Sequence, residues 1–248
     1  MKILLIHGHP FDHTLWDPQA AVLREAGHEV IAPDLRGYGI SSADTSEITY
    51  LSDFAGDLVA LLGADRAVVG GVSMGGQIAM EFYRRYPDRV AGLILSDTSP
   101  VGETEDGRKY RNDLADRLLA EGMAGYADEV LDKMITPAHV KELPEVAAHV
   151  RRMMLATSPR GAAAALRGRA ERPDYQEDLA RVRVPTLILV GAEDAYTPIV
   201  DAELIRDLVP GSELVIVEDA GHLPGLERPA EVNAALLTFL SSHFPAEA

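Results

Sequence analysis

The sequence predicts an α/β fold in which helices pack on both faces of a doubly wound, mostly parallel sheet of about six strands. Short continuous apolar runs alternate strictly with amphipathic helical patterns before Ser96 and again after Val184. Such alternation is typical of a parallel sheet with helical crossovers. Between those two residues the strand runs stop, and one helical pattern follows another. We therefore expect residues 1–98 and 184–248 to form the core and residues 99–183 to form an inserted helical cap.

Four strands are predicted in the first half of the chain, because four short runs are apolar without interruption. Continuous runs of this kind are expected for strands that are buried on both faces of the sheet. Proline and glycine mark the ends of the helices between them. The predicted strands cover residues 3–6, 30–32, 68–72 and 90–95, and the helical limits are Asp17-Pro18, Gly27, Gly63 and Pro87.

The second half begins with helices alone and then returns to alternation. Helices are expected at roughly residues 108–121, 127–134, 145–156 and 161–170, with prolines at 137, 144, 159 and 173 between them. Strands follow at residues 185–190 and 213–217, with helices that begin at Thr197-Pro198 and at Pro229. Because the alternation resumes without a linker, an inserted cap is favoured over a separate small domain.

Composition and charge narrow the function classes. The 248 residues are 47% hydrophobic and 25% charged, which fits a single globular domain. A net charge of −16 makes nucleic acid and anionic membranes unsuitable partners. Cysteine is absent, which excludes disulfides, thiolate nucleophiles and cysteine-based metal sites. No run resembles a signal peptide or a membrane span, so a cytoplasmic protein is the default expectation.

The third predicted strand runs directly into a helix at Ser73. Gly71 and Gly75 flank this serine at two residues on either side. A serine at the apex of so sharp a turn has a strained backbone, and its neighbours come too close for larger side chains. The turn would lift the Ser73 hydroxyl out of the sheet and direct the first N–H groups of the helix toward a bound substrate.

A serine nucleophile needs a base and an acid, and the carboxyl ends of the strands supply candidates for both. Ligands of open α/β sheets bind at that edge. His222 lies in the loop after the last strand, and histidine titrates in the range that a general base requires. Asp194, just after the fifth strand, is the preferred carboxylate to orient it. Asp97, after the fourth strand, remains an alternative acid, and Asp194 could instead cap the helix near Thr197.

These motifs resemble those of the α/β-hydrolases. The G-x-S-x-G pattern at residues 71–75 and the order Ser73, Asp194, His222 are similar to the family's nucleophile elbow and triad. The stretch 7–10, His-Gly-His-Pro, looks like the family's oxyanion loop. The resemblance implies that the backbone N–H groups of Met74 and His9 hold the oxyanion, and it implies no cofactor and no metal.

Within the superfamily, residues 7–18 and 73–98 look most similar to the group of 3-oxoadipate enol-lactonases, cofactor-free haloperoxidases and small carboxylesterases. Those proteins usually carry an antiparallel hairpin before the first core strand, whereas this sequence opens at that strand. A sheet of about six strands is therefore expected. The plant hydroxynitrile lyase and methylesterase branch shares that feature, but usually not the HG-x-P loop.

The resemblance implies a serine hydrolase whose partner is a small carboxylic ester or lactone. Two alternatives use the same fold: carbon–carbon bond hydrolysis or hydroxynitrile-lyase chemistry with the same triad, and a ligand sensor with negligible turnover. The histidines at positions 7, 9 and 13 are interpreted as part of a polar loop. The His-x-His spacing of His7 and His9 could bind zinc, but no third ligand for that pair lies nearby in the sequence. The stretch from Asp34 to Ser41 is interpreted as structural, with Arg36 paired to a carboxylate.

Overall fold

A computed structural model describes residues 1–42 and 46–245. It contains one sheet whose strands are all parallel. The strands are β1 (Lys2–Ile6), β2 (Glu29–Ile31), β3 (Ala67–Val72), β4 (Val90–Ser96), β5 (Thr186–Gly191) and β6 (Glu213–Val217). Their order is β2-β1-β3-β4-β5-β6. The predicted doubly wound α/β sheet of six strands is therefore confirmed. The predicted and observed ends of each strand differ by one residue or not at all.

Helices connect the strands and cover both faces. In the described part of the chain they are α1 (Asp17–Glu25), α2 (Leu51–Leu62), α3 (Met74–Arg85), α4 (Glu105–Glu121), α5 (Ala124–Met134), α6 (His139–Glu142), α7 (Pro144–Ala156), α8 (Pro159–Ala170), α9 (Gln176–Leu179), α10 (Ile199–Leu208), α11 (Pro224–Glu227) and α12 (Pro229–His243). None of these described helices combines the length and apolarity that crossing a membrane requires.

The four central strands of the sheet are buried on both faces, as their apolar runs predict, whereas the edge strands β2 and β6 are partly exposed. Alternate residues of β1 belong to two different hydrophobic clusters. Ile3 and Leu5 pack with residues of α1 and α12, whereas Leu4 and Ile6 pack with residues of α2, α3 and α10. Since successive side chains of a strand point to opposite faces, a continuous apolar run can fill two cores at once.

The segment between β4 and β5 holds helices α4 to α9, and α8 lies against the core. The N–H of Thr49 donates to the carbonyl of Ala164 at 3.0 Å. A Cβ added at Gly161 or at Gly168 would overlap the backbone of Gly37 or of Thr49. Gly161 and Gly168, which lie two helical turns apart on one face of α8, thus let this helix approach the core backbone closely. This close approach fixes the position of α8. The limits 99–183 of the inserted cap stay a prediction.

Candidate active site

Ser73 forms the junction between β3 and α3. Its backbone has φ 56° and ψ −117°, a region that side-chain-bearing residues rarely adopt. A Cβ at Gly71 would overlap the backbone of Gly75, and a Cβ at Gly75 would overlap the carbonyl of Ile6. The two glycines therefore let the strand and the helix meet at the sharp angle that the sequence motif predicts.

Hydrogen bonds hold this junction in place. The Ser73 N–H donates to the carbonyl of Ser96 at 3.0 Å, and the hydroxyl of Thr98 donates to the Ser73 carbonyl at 2.8 Å. The N–H of Gln77 also reaches the Ser73 carbonyl, at 3.2 Å, which begins the ladder of α3. The backbone of Ser73 is thus fixed on both sides, and its side chain is set at the carboxyl edge of the sheet.

His222 and Asp194 are in contact at the same edge. His222 Nδ1 lies 2.8 Å from Asp194 Oδ2, and both side chains are buried. Asp194 also accepts hydrogen bonds from the hydroxyl of Thr197 at 2.5 Å and from the N–H groups of Tyr196 and Thr197 at 2.7 and 3.1 Å. These N–H groups lie before α10, so Asp194 does not cap that helix, in contrast to the alternative interpretation. Thr197 bonds this carboxylate instead of capping α10, whose N-cap is Pro198.

The charge of Asp194 is set by its surroundings. Burial by itself would raise the pKa of Asp194. The charge of His222 and the hydrogen bonds from His222, Thr197 and Tyr196 outweigh this effect and leave the pKa below its ordinary value. An ionised Asp194 accepts a hydrogen bond from the Nδ1–H group of His222, so the Nε2 atom keeps its lone pair. Such an imidazole is oriented to remove a proton from a neighbouring hydroxyl.

Asp97, the alternative acid, lies behind this pair. Its Oδ1 accepts the N–H of Gly191 at 2.8 Å, and its Oδ2 accepts the hydroxyl of Ser96 at 2.5 Å. Burial raises its pKa well above the ordinary value, and the nearby charge of Asp194 raises it further. Of the two neighbouring carboxyl groups, Asp97 thus binds a proton more readily, and Asp194 more readily carries the negative charge. This distribution favours Asp194 as the partner of His222.

Ser73 and His222 face the same cavity, which has a volume of about 310 Å³. Core and inserted segment both contribute to its wall, so a ligand here would touch both. The lining residues are His9, Ser73, Gln77, Ser99, Tyr110, Arg111, Leu114, Tyr126, Met134, Leu166, Arg169, Arg172, Tyr196, Thr197, Asp201 and His222. Of the methionines between residues 99 and 183, Met134 lines the cavity, whereas Met123, Met153 and Met154 belong to the hydrophobic core and do not line it.

The loop that carries His9 passes directly beside Ser73. A Cβ added at Gly8 would lie 3.3 Å from the Cβ of Ser73 and 3.1 Å from the Val72 carbonyl, so this approach needs glycine. Met74 is the first residue of α3, where backbone N–H groups have no partner within the helix. The two predicted oxyanion donors, on His9 and Met74, thus belong to segments that flank the Ser73 side chain.

Comparison with known proteins identifies the family to which the chain belongs. A sequence profile described as the alpha/beta hydrolase fold matches residues 2–229. The chain belongs to the alpha/beta hydrolase family. This match spans the elbow, the segment 99–183 and the loop of His222, and the predicted resemblance is confirmed.

Esterases and enol-lactonases are among its relatives. The solved structure of a thermophilic esterase from Thermogutta terrifontis, with malate bound, is 37% identical, superimposes with a TM-score of 0.95, and covers 98% of this chain and 90% of its own. The enol-lactonase of Burkholderia xenovorans is 26% identical with a TM-score of 0.88, over 97% of this chain and 91% of its own. The 3-oxoadipate enol-lactonase 1 of Acinetobacter baylyi is 28% identical over 93% of this chain and 85% of its own.

Glu227 is buried and supports the loop that carries His222 in this alpha/beta hydrolase. The sequence motifs do not reveal this role. Glu227 Oε1 accepts the N–H of Gly221 at 2.8 Å. Its Oε2 accepts the N–H of Thr136 at 2.8 Å and lies 2.7 Å from Nδ1 of His139. Because Gly221 precedes His222, this carboxylate links the histidine loop to the inserted segment. Only its position just after the histidine could have drawn attention to it.

The remaining polar residues of the motifs have structural partners. Arg36 pairs with Asp57 at 2.5 Å, as predicted. His7 is buried, its Nε2 accepts the N–H of Leu35 at 3.1 Å, and its Nδ1 lies 2.8 Å from the Gly8 carbonyl. Among the described residues, the potential metal ligands that cluster are Asp12, His13 and Asp34, which include neither His7 nor His9.

The side chain of His9 stays neutral and links the site to Tyr38. Its Nδ1 lies 2.8 Å from the Tyr38 hydroxyl, and its Nε2 is buried without a protein partner. Burial lowers the pKa of His9 well below the ordinary value, and the charges of Arg169 and Arg111 lower it further.

This depressed pKa predicts a specific dependence of stability on pH. Below pH 6.5 the unfolded chain binds a proton at His9 that the folded chain does not bind, so acid favours unfolding. The free energy of unfolding is therefore unaffected by protonation of His9 above pH 6.5. It decreases by up to about 1.4 kcal/mol per pH unit as the pH falls toward the pKa of His9 in the folded protein. Urea unfolding at pH 7.5, 6.5 and 5.5 would measure it. We expect a shallower acid slope in His9→Gln, and equal slopes in the two proteins would contradict a neutral buried His9.

Proposed function

We propose that this protein is a serine hydrolase that cleaves small carboxylic esters or lactones through an acyl-enzyme intermediate. The observation that carries the proposal is the buried Asp194–His222 hydrogen bond, 2.8 Å long, on the wall of the cavity that Ser73 also lines. Charge and orientation agree, because an ionised Asp194 leaves Nε2 of His222 free to act as a base. The esterases and enol-lactonases among the relatives support the same class of reaction.

The proposed reaction has two halves. His222 Nε2 accepts the proton of the Ser73 hydroxyl while the Ser73 oxygen attacks the ester carbonyl. His222 then donates that proton to the departing alcohol oxygen, which leaves an acyl group on Ser73. Water enters, gives one proton to His222 and attacks the acyl carbonyl. Collapse returns the proton to Ser73 and releases the carboxylic acid.

The oxyanion of each tetrahedral intermediate is held by the backbone N–H groups of Met74 and His9. The first N–H groups of α3 are free of intrahelical partners, and the positive end of the helix dipole adds to their effect. Gly8 brings the His9 backbone beside Ser73. Fixed donors of this kind contribute strongly to acyl transfer because they need no reorganisation during the reaction.

The cavity favours a small substrate. Its volume of about 310 Å³ lies at the lower end of the range for ligand pockets. We propose that residues 99–183 act as a cap over the edge of the sheet, since Leu114, Tyr126 and Leu166 of this segment line the cavity. Acyl and alcohol groups of a few carbon atoms would fill the space between these apolar side chains and Ser73.

A fluorophosphonate probe with peptide mapping tests the proposal. We expect one adduct, on the peptide that contains Ser73, and loss of hydrolysis of short methyl and p-nitrophenyl esters in proportion to labelling. Turnover of a cyanohydrin or a carbon–carbon substrate with no ester or lactone hydrolysis would instead support lyase or carbon–carbon chemistry. Tight ligand binding with less than about one turnover per minute, against typical enzyme values of about 1–10³ per second, would support a ligand sensor.

A further inference from the structure

Arginine side chains line the cavity of this acidic protein at three positions. Arg111, Arg169 and Arg172 all border it, although acidic residues outnumber lysine and arginine by 39 to 23 in the whole chain. A cavity of one sign inside a chain of the opposite net charge focuses the local potential on a ligand. The positive wall therefore points to an anionic group on the molecule that the cavity receives.

Two of these arginines already have a carboxylate partner. Glu103 forms ion pairs with Arg111 and with Arg172, the latter at 2.5 Å. Asp201 also lies on the cavity wall; burial raises its pKa, and the arginine whose charge lowers that pKa is Arg172. These contacts leave the third arginine as the cation of the cavity that has no acid of its own.

Arg169 forms no ion pair with any carboxylate in the described ranges 1–42 and 46–245. Its Nε donates to the side-chain oxygen of Gln77 at 3.1 Å, while the residue as a whole is only 9% exposed. A buried charge without a counter-charge is unfavourable, and the pKa of Arg169 is accordingly lowered, first by burial and then by Arg111 and Arg172. An anion on the cavity side would remove this penalty.

The position of Arg169 relative to Ser73 defines what such an anion would be attached to. Gln77, whose side-chain oxygen accepts the hydrogen bond from Arg169, lies four residues after Ser73, or about 6 Å along the axis of α3. Helix α8 is fixed against the core by the close approach of Gly168 to Thr49, so Arg169 has a defined place. A group bound to Arg169 would thus be a few carbon atoms from a carbonyl at Ser73.

We propose that the natural substrate carries a carboxylate a few carbon atoms from the scissile ester or lactone carbonyl, and that Arg169 recognises it. This inference rests on the proposed function and specifies its substrate class as monoanionic half-esters of short dicarboxylic acids, or small lactones that carry a free carboxylate. Gln77 holds the Nε side of the guanidinium, which leaves the Nη groups to bind the two carboxylate oxygens. Arg111 and Arg172 add positive potential around that contact.

The test compares monomethyl glutarate with methyl pentanoate, which replaces the free carboxylate by a methyl group. We expect the half-ester to have a kcat/KM at least tenfold higher in the wild-type protein. The variant Arg169→Gln is expected to lower the ratio of the two kcat/KM values by about 10- to 100-fold. The matched control is Arg167→Gln on the same helix, because Arg167 pairs with Asp116 outside the cavity lining. We expect the control to keep the wild-type ratio.

A thermal-shift measurement with glutarate separates this inference from the proposed function. We expect glutarate to raise the Tm of the wild type and of Arg167→Gln, but to have a much smaller effect on Arg169→Gln. If methyl pentanoate is cleaved as fast as the half-ester and glutarate gives no shift, the inference is wrong while the proposed function stands. If neither ester is cleaved but glutarate still shifts the Tm through Arg169, the proposed function is wrong and the anion site remains. Arg169→Met serves as a second variant if Arg169→Gln does not fold.

Discussion

Replacement of Ser73 by alanine is expected to lower kcat for ester hydrolysis by roughly 10⁴- to 10⁶-fold, because the proposed acyl-enzyme forms on the Ser73 oxygen. Residual catalysis would come from the oxyanion donors and from substrate positioning alone. Only the hydroxyl is lost, and the contacts that fix the turn are made by the backbone of Ser73. We therefore expect KM and Tm to change little. The measurement is steady-state kinetics on a short methyl ester, with titration of active sites by a fluorophosphonate.

Ser99→Ala is the matched control for this variant. Ser99 also lines the cavity, and the substitution removes the same atom from the same wall. We expect its kcat to stay within about threefold of the wild type, since surface or cavity hydroxyls outside the reacting centre contribute little to the barrier. Retention of more than about one percent of wild-type kcat by Ser73→Ala would exclude Ser73 as the nucleophile.

The fold could be predicted from the sequence because the signals are local. The strands of a parallel sheet are continuous apolar runs, and many helix boundaries are marked by proline, glycine or a capping side chain. The four helices predicted between β4 and β5 nevertheless begin one to three residues earlier than predicted, whereas α10 begins at Ile199, after the predicted Thr197-Pro198. The segment predicted at 108–121 begins at Glu105, because Thr104 caps it, and the segment predicted at 161–170 begins at Pro159, because Ser158 caps it. Helices of one turn, such as α6 and α9, have too few residues for a periodic pattern.

The candidate site could be predicted only in part. Ser73 and His222 stand in motifs of fixed spacing, and the topology explains why loops far apart in sequence meet at one sheet edge. Arg169 and Glu227 carry no such signal, because their roles depend on contacts that span 92 and 91 residues, to Gln77 and to Thr136. An arginine on an amphipathic helix is ordinarily exposed, and its burial follows from how α8 packs on the core.

Asp194→Asn is expected to lower kcat by roughly 10⁴-fold, the second large effect. The amide would keep the bonds to the N–H groups of Tyr196 and Thr197 through Oδ1, so the loop should stay folded. Its NH₂ group, however, would face Nδ1 of His222 and hold the imidazole in the tautomer that carries its proton on Nε2. That tautomer cannot accept the Ser73 proton. Ester kinetics, together with urea unfolding to verify the fold, would measure the effect.

Asp97→Asn provides the contrast that decides between the two acids. Asp97 binds a proton more readily than an ordinary aspartate does, because burial and the charge of Asp194 raise its pKa. An amide is a closer match to a neutral carboxyl group than to a carboxylate, and its oxygen can still accept the N–H of Gly191. We therefore expect Asp97→Asn to retain kcat within about tenfold. A loss of several thousandfold in Asp97→Asn, with near-normal kcat in Asp194→Asn, would move the acid of the triad to residue 97. Because the two carboxyl groups are neighbours, the one that carries the negative charge is the one that orients His222.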